Sequence, residues 1–116
     1  MKEDAASRVE DAGAERVEGA LNQRNPVAVR VGDRSADGRR VIAAFQESGK
    51  SRFTYPFNEF MYVLRGSITC TLEGGQKHYF TTGDSAFFPE GTTADLDISD
   101  DFMDLTFLTS EHEIQY

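Results

Sequence analysis

The sequence predicts an all-β fold, a sandwich or barrel of short strands, and three observations predict it. From residue 27 onward, short runs rich in Val, Ile, Phe, Tyr and Thr follow one another at close spacing. Glycine, proline, aspartate and serine separate the runs, the residues that turns favour. Several runs alternate in polarity: in Ala94-Asp95-Leu96-Asp97-Ile98 the acids share one face and the apolar residues the other.

Residues 1–24 stand apart, being rich in Ala, Glu, Asp and Arg with no aromatic residue. Val9, Val17 and Leu21 recur at helical spacing and make a thin apolar stripe. Gly13 and Gly19 each weaken such a helix by roughly 1 kcal/mol relative to alanine. This predicts a partly helical N-terminal arm, ending at Asn25-Pro26, that packs or assembles rather than forming part of a site. Strands are expected over 27–31, 40–46, 51–56, 59–65, 67–73, 76–81, 85–88, 93–99 and 102–109. The separators are Gly32-Asp33, Ala36-Asp37-Gly38, Ser48-Gly49, Gly74-Gly75, Gly83-Asp84, Pro89-Glu90-Gly91 and Ser99-Asp100-Asp101, with Gly66 reversing the chain between two strands. The division is an arm over 1–24, a barrel over 25–110 and a tail over 111–116.

At 116 residues the chain is one domain by length, a size that buries roughly two-thirds of the surface its unfolded chain exposes. It has a single cysteine, so no intrachain disulfide forms. Cys70, inside Ser67-Ile68-Thr69-Cys70-Thr71-Leu72, has no cationic sequence neighbour to lower its pKa and reads as a packing residue. A reducing cytoplasm is the expected location. No apolar stretch approaches membrane-spanning length, and no secretory leader is evident. Net charge is −8, and Lys77 is the last basic residue: residues 78–116 hold nine acids and no Lys or Arg. Such a surface repels phosphate backbones, which excludes nucleic acid as the expected partner. Asp95, Asp97, Asp100, Asp101 and Asp104 read as a solvated strand face and turn rather than a calcium site.

Two stretches carry a motif. Phe53 to Gly66 reads FTYPFNEFMYVLRG, and Gly83 to Ala94 reads GDSAFFPEGTTA. They resemble the paired motifs of the cupin family, whose first has two histidines one residue apart, then a glutamate and a closing glycine. Laid on it, the histidines fall on Phe53 and Tyr55, the glutamate on Glu59 and the glycine on Gly66. Glu47 stands where that motif opens with a glycine. In the second motif Gly83, Pro89 and Gly91 match, while its histidine falls on Ala94 and its asparagine on Ile98. The resemblance implies a double-stranded β-helix, the cupin jelly roll. The tyrosine-proline step before the retained glutamate is similar to small cupins linked to ureidoglycine and ethanolamine metabolism.

In that family the residues at Phe53, Tyr55, Glu59 and Ala94 would meet at one metal in the barrel mouth. Here Phe53 and Ala94 offer no lone pair and Tyr55 is a poor neutral ligand, so no metal and no cofactor is expected. His78 and His112 lie at no matching position. The same pocket then becomes an apolar, aromatic cavity for a small organic ligand, with Phe53, Met61, Val63, Ala94, Leu96 and Ile98 as its wall. Burial would raise the pKa of Glu59 toward the range useful for general acid or base work, with Tyr55 donating to a ligand oxygen. The expected activity is metal-independent proton transfer such as dehydration, isomerisation or cyclisation. Two alternatives stand beside it: a non-catalytic binding or sensor module, and a metal enzyme with unorthodox ligands. Glu59 as a structural ion-pair anchor is an equal reading of that residue. A homodimer is expected, built on strand edges and the arm's apolar stripe.

Overall fold

A computed structural model of the chain describes residues 26–115. The arm expected over residues 1–24 lies outside the described residues. Nine strands follow in order: β1 (Pro26–Arg34), β2 (Arg40–Glu47), β3 (Gly49–Thr54), β4 (Asn58–Arg65), β5 (Ser67–Leu72), β6 (Lys77–Thr81), β7 (Ser85–Phe88), β8 (Thr93–Ile98) and β9 (Met103–Thr109). They build a five-stranded sheet, β1-β2-β9-β4-β7, and a four-stranded sheet, β3-β8-β5-β6. Every pairing is antiparallel. The chain passes from one sheet to the other between β2 and β3 with Ser48 alone in the connection. No helix among the described residues is long and apolar enough to cross a membrane.

The core lies between the sheets. Val41, Phe45, Met61, Val63, Phe88 and Leu108 of the five-stranded sheet meet Phe53, Ile68, Cys70, Ala94, Leu96 and Ile98 of the other. Strand alternation decides these sets, since residues two apart share a face. In β8, Ala94, Leu96 and Ile98 are buried while Asp95 and Asp97 are exposed, as their spacing predicts. Cys70 is buried.

Two expectations need correction. Gly32-Asp33 does not end a strand: β1 continues to Arg34, and the register slips between Val31 and Asp33. A glycine in a strand is as compatible with a bulge as with a reversal, and here the bulge is what forms. Asp104 is not solvated. It lies fully buried on β9, opposite Phe45 of β2 and Val63 of β4. The alternation of β9 turns Asp104, Thr106 and Leu108 toward the core and Met103, Leu105 and Phe107 toward the outer side of the sheet.

The β1–β2 turn is organised by side chains. The Ser35 hydroxyl donates to Asp37 Oδ1 at 2.8 Å, and the same carboxylate accepts the Arg39 backbone N–H at 3.0 Å. The Arg39 N–H, then the Ser35 hydroxyl, holds the Asp37 carboxyl below its ordinary pKa. A carboxyl depressed by folding contributes stability above its unfolded pKa of about 3.9 and loses it as pH falls through the lower folded value. Asp37→Asn should therefore be less stable than wild type by a constant margin at neutral pH, and the margin should shrink below about pH 4. Urea unfolding at pH 7 and pH 3 checks this. The C-terminal segment closes over the same turn: Ile114 N–H donates to Gly38 O at 2.9 Å, and Arg34 reaches both Ile114 O at 3.1 Å and the Glu113 carboxylate at 3.2 Å.

Candidate functional site

The motif residues gather at one end of the barrel. On β3, Phe53 faces in while Arg52 and Thr54 face out. The Arg52 guanidinium spans Glu73 at 2.8 Å and Asp95 at 3.0 Å, and the Thr54 and Thr93 hydroxyls lie 2.9 Å apart. These exposed contacts fix the strand's facing, which aims Phe53 at the core opposite Ala94 of β8.

Tyr55 follows directly after β3, and its backbone is clamped from the facing turn. Its N–H donates to Thr92 O at 2.8 Å, and Gly91 N–H donates to Tyr55 O at 2.8 Å. Gly91 sits at φ +92°, a conformation open to glycine, so the Pro89-Glu90-Gly91 turn of the second motif holds the first motif in place. Asn58 adds a second tie by accepting the Glu90 N–H at 2.9 Å. Spacing in the sequence thus becomes a joint between the two motifs.

The rings there form a connected cluster. Phe53 meets Tyr55 edge-on with centroids 4.6 Å apart, and Tyr55 stacks on Phe88 at 4.7 Å with planes 6° apart. Phe57 lies 6.5 Å from Phe53, Phe80 lies 6.4 Å from Phe88, and His78 stacks on Phe80 at 6.2 Å. Offset and edge-on ring pairs contribute ~0.5–1.5 kcal/mol each beyond their area burial. Phe57, Phe80 and Phe88 were not among the expected wall residues, although Phe88 could have been found from the alternation of Ser85-Ala86-Phe87-Phe88.

Glu59 enters this cluster from β4. Its side chain is 0 % exposed, and it is registered against Phe88 of β7 on one side and Leu108 of β9 on the other. Phe88 therefore stands between the two expected catalytic residues, its ring stacked on Tyr55 and its backbone paired with Glu59. Met61 and Val63 continue down the inner face of β4, at intervals of about 6.6 Å. Leu96 and Ile98 run likewise down β8 from Ala94. Phe53, Tyr55, Glu59 and Ala94 thus occupy one end, while Val63 and Ile98 lie about 13 Å farther along their strands. All eight are buried, and the seven other than Glu59 belong to one core cluster with Phe88 and Leu108.

The donor chemistry of this end does not fit a transition metal. Phe53 and Ala94 have no donor atom, Tyr55 has a neutral phenol, and Glu59 is one carboxyl where three or four N, O or S donors are required. Among the described residues no group of three or more His, Cys, Asp or Glu converges. His78 is half-buried against Phe80, and His112 is exposed. Two further carboxyls are fully buried, Glu47 and Asp104, but register separates them from Glu59: Asp104 pairs with Val63, two inward steps away along β4.

Solved structures of the same fold are known. Ethanolamine utilization protein EutQ of Salmonella typhimurium LT2 superposes with a TM-score of 0.67 at 19% identity, over 83% of this chain and 77% of that one. EutQ of Clostridium difficile gives 0.61 at 17% identity, over 81% and 75%. The polyketide cyclase RemF from Streptomyces resistomycificus gives 0.62 at 20% identity, over 87% and 75%. At these identities the likeness speaks to the fold. None of the curated protein sequences matches the chain. The model of the EutQ-like cupin domain matches residues 34–104, a stretch that contains both motifs and most of both sheets, and the chain belongs to that family.

Proposed function

We propose that this cupin binds a small organic molecule at the Glu59 end of the barrel and acts on it by metal-independent proton transfer. The observation that carries the reading is a fully buried carboxyl, Glu59, set among stacked rings at the end where the family motifs meet. Glu59 serves as acid or base, and the Tyr55 hydroxyl donates to an oxygen of the ligand. Phe53, Met61 and Ala94 contact its apolar part, with Val63, Leu96 and Ile98 lining the deeper barrel. Dehydration, isomerisation and cyclisation all need only a proton donor and acceptor held in a dry site. A polyketide cyclase among the structural neighbours supports cyclisation as chemistry this architecture can carry. A cytoplasmic setting accords with a chain that has one cysteine and so no intrachain disulfide.

The rings are packed closely, so a ligand has to displace ring contacts as it enters. That closure favours a second reading, a binding module without turnover, and turnover separates the two. The test is a panel of small organic acids, phenols and aromatic ketones examined by ligand-detected NMR, followed by product analysis for each binder. Binders lost in Glu59→Gln support the site. Binding that is indifferent to that substitution overturns it.

The donor set makes a further prediction. Protein purified without chelator should carry far less than one equivalent of zinc, iron, nickel or manganese in elemental analysis. A near-stoichiometric metal would move the reading to the unorthodox-ligand alternative.

A further inference from the structure

We infer that the ligand enters the barrel sideways, through the seam between β6 and β7, and that His78 binds it at the rim, an inference that rests on the Glu59 end being the ligand site. β6 and β7 are end strands of different sheets and do not pair with each other. Their connecting turn is tied down at the Val63 level. Gly83 N–H donates to Val63 O at 2.9 Å, Val63 N–H donates to Asp84 O at 3.0 Å, and Thr81 N–H donates to Asp84 Oδ2 at 2.9 Å. Beyond that turn each strand follows its own sheet, so side chains alone close the seam toward Lys77 and Phe88, and Phe88 is the residue registered against Glu59.

Burial tells which side of the barrel gives access. Phe53 of β3, Ala94 of β8 and Leu72 of β5 are cross-strand neighbours; the first two are 0% exposed, whereas Leu72 is only partly buried. In the next row Leu96 and Cys70 are buried and His78 is half-buried. Phe80 and Ala86 face inward from β6 and β7 and are partly buried as well. On the β3 side the same end is sealed, with Tyr55 and Phe57 each 1% exposed. The ring contacts run along this gradient, from half-buried His78 to Phe80, from Phe80 to Phe88, and from Phe88 to the enclosed Tyr55.

The lining selects the ligand. The inward residues of β6 and β7 are His78, Phe80, Ala86 and Phe88, with no Lys, Arg, Asp or Glu among them. A charge carried through this seam would lose its water without a partner. A flat aromatic body instead takes the place of Phe80 and replaces ring contacts worth ~0.5–1.5 kcal/mol each. His78 lies nearly parallel to Phe80, with planes 15° apart, so its face is presented to whatever displaces that ring. Its imidazole nitrogens donate or accept hydrogen bonds and are the side-chain polar atoms of this inner face. The ligand class is a planar aromatic compound whose leading hydroxyl or carbonyl reaches Tyr55 and Glu59 and whose trailing polar group stays at the rim on His78.

Cys70, the single cysteine of the chain, reports on the seam without any ligand. It is buried on β5 directly opposite His78, so a thiol reagent reaches it when the protein opens. Its rate of reaction with dithiodipyridine, a flat aromatic disulfide, should stay level in urea below the unfolding transition, as local opening requires. Phe80→Ala should raise that rate about tenfold or more, whereas Val31→Ala, which trims the same core from β1 on the far side, should leave it unchanged. Equal acceleration by both variants overturns the seam, as does a rate that climbs with urea in step with global unfolding. The binding role of His78 is read with 6-hydroxy-2-naphthoate, which should bind, slow the modification of Cys70, and bind His78→Ala about tenfold more weakly, with His78→Gln restoring most of the loss. Absence of binding, or binding indifferent to His78→Ala, overturns that role. Binding lost in Glu59→Gln but untouched by His78→Ala and Phe80→Ala keeps the site and removes the seam; a Cys70 gated by Phe80, with naphthoate binding indifferent to Glu59→Gln, keeps the seam and removes the site.

Discussion

Gly66→Ala should destabilise the fold by ~2–6 kcal/mol, the sum of left-handed backbone strain and overpacking. Gly66 joins β4 to β5 at φ +78°, and a Cβ built there lies 2.6 Å from Ser99 Oγ, 2.7 Å from Phe102 Cα and 2.8 Å from Asp101 Oδ1. Ser99 cannot yield cheaply, because its hydroxyl accepts the Ser67 N–H at 2.9 Å and donates to Asp101 at 2.8 Å. Phe102 offers backbone rather than a flexible tip, so the connection into β9 has to shift. Gly75 is the control: its φ is +92° and nothing lies within 4 Å of an added Cβ. Gly75→Ala carries only the conformational term, of order 1–3 kcal/mol. Urea unfolding of both variants checks the contrast. Equal losses would show that backbone strain alone, and not the approach of Ser99 and Phe102, makes glycine necessary at position 66.

Glu59→Gln should keep the native fold, with thermal stability equal to or above wild type, and lose ligand binding or turnover by tenfold or more. The substitution keeps the shape of a side chain that is wholly enclosed while removing an ionisable group whose charged form burial penalises. A Glu59 that anchored a structural ion pair would behave oppositely. Its partner would be stranded in the interior, at a cost of ~3–5 kcal/mol. Thermal and denaturant unfolding, together with binding of any ligand found in the NMR panel, separate the two. Lost stability with unchanged binding removes Glu59 from the proposed chemistry.

Strand positions were legible because each strand ends at chemistry that has few alternatives. Gly66, Gly75, Gly83 and Gly91 all sit at positive φ where turns were expected. Gly32 was misread because it serves a bulge, and a bulge and a reversal share the same local requirement. Which face of β9 points inward was harder. Met103, Leu105 and Phe107 look like core by hydrophobicity, and only pairing between β2 and β4 turns Asp104 inward instead. Phe53, Glu59 and Ala94 were located by motif spacing, whereas the ring stack of Tyr55 on Phe88 arises where two sheets close on each other. No local pattern in the chain encodes that closure.

β9 lies in the middle of the five-stranded sheet although it is the last of the described strands, flanked by β2 on one side and β4 on the other. Without it the β1–β2 hairpin and the β4–β7 pair have no common partner, and each leaves an open ladder. A ribosome-bound chain thus holds unpaired strand edges until β9 itself has emerged, which makes completion of the five-stranded sheet a single late event relative to synthesis of β1 and β2. Distant pairings of this kind place folding times in the millisecond-to-second range. During that interval the aromatic outward row of β4 is presented beside an unpaired edge, so aggregation during expression should rise sharply when chaperone supply falls behind synthesis.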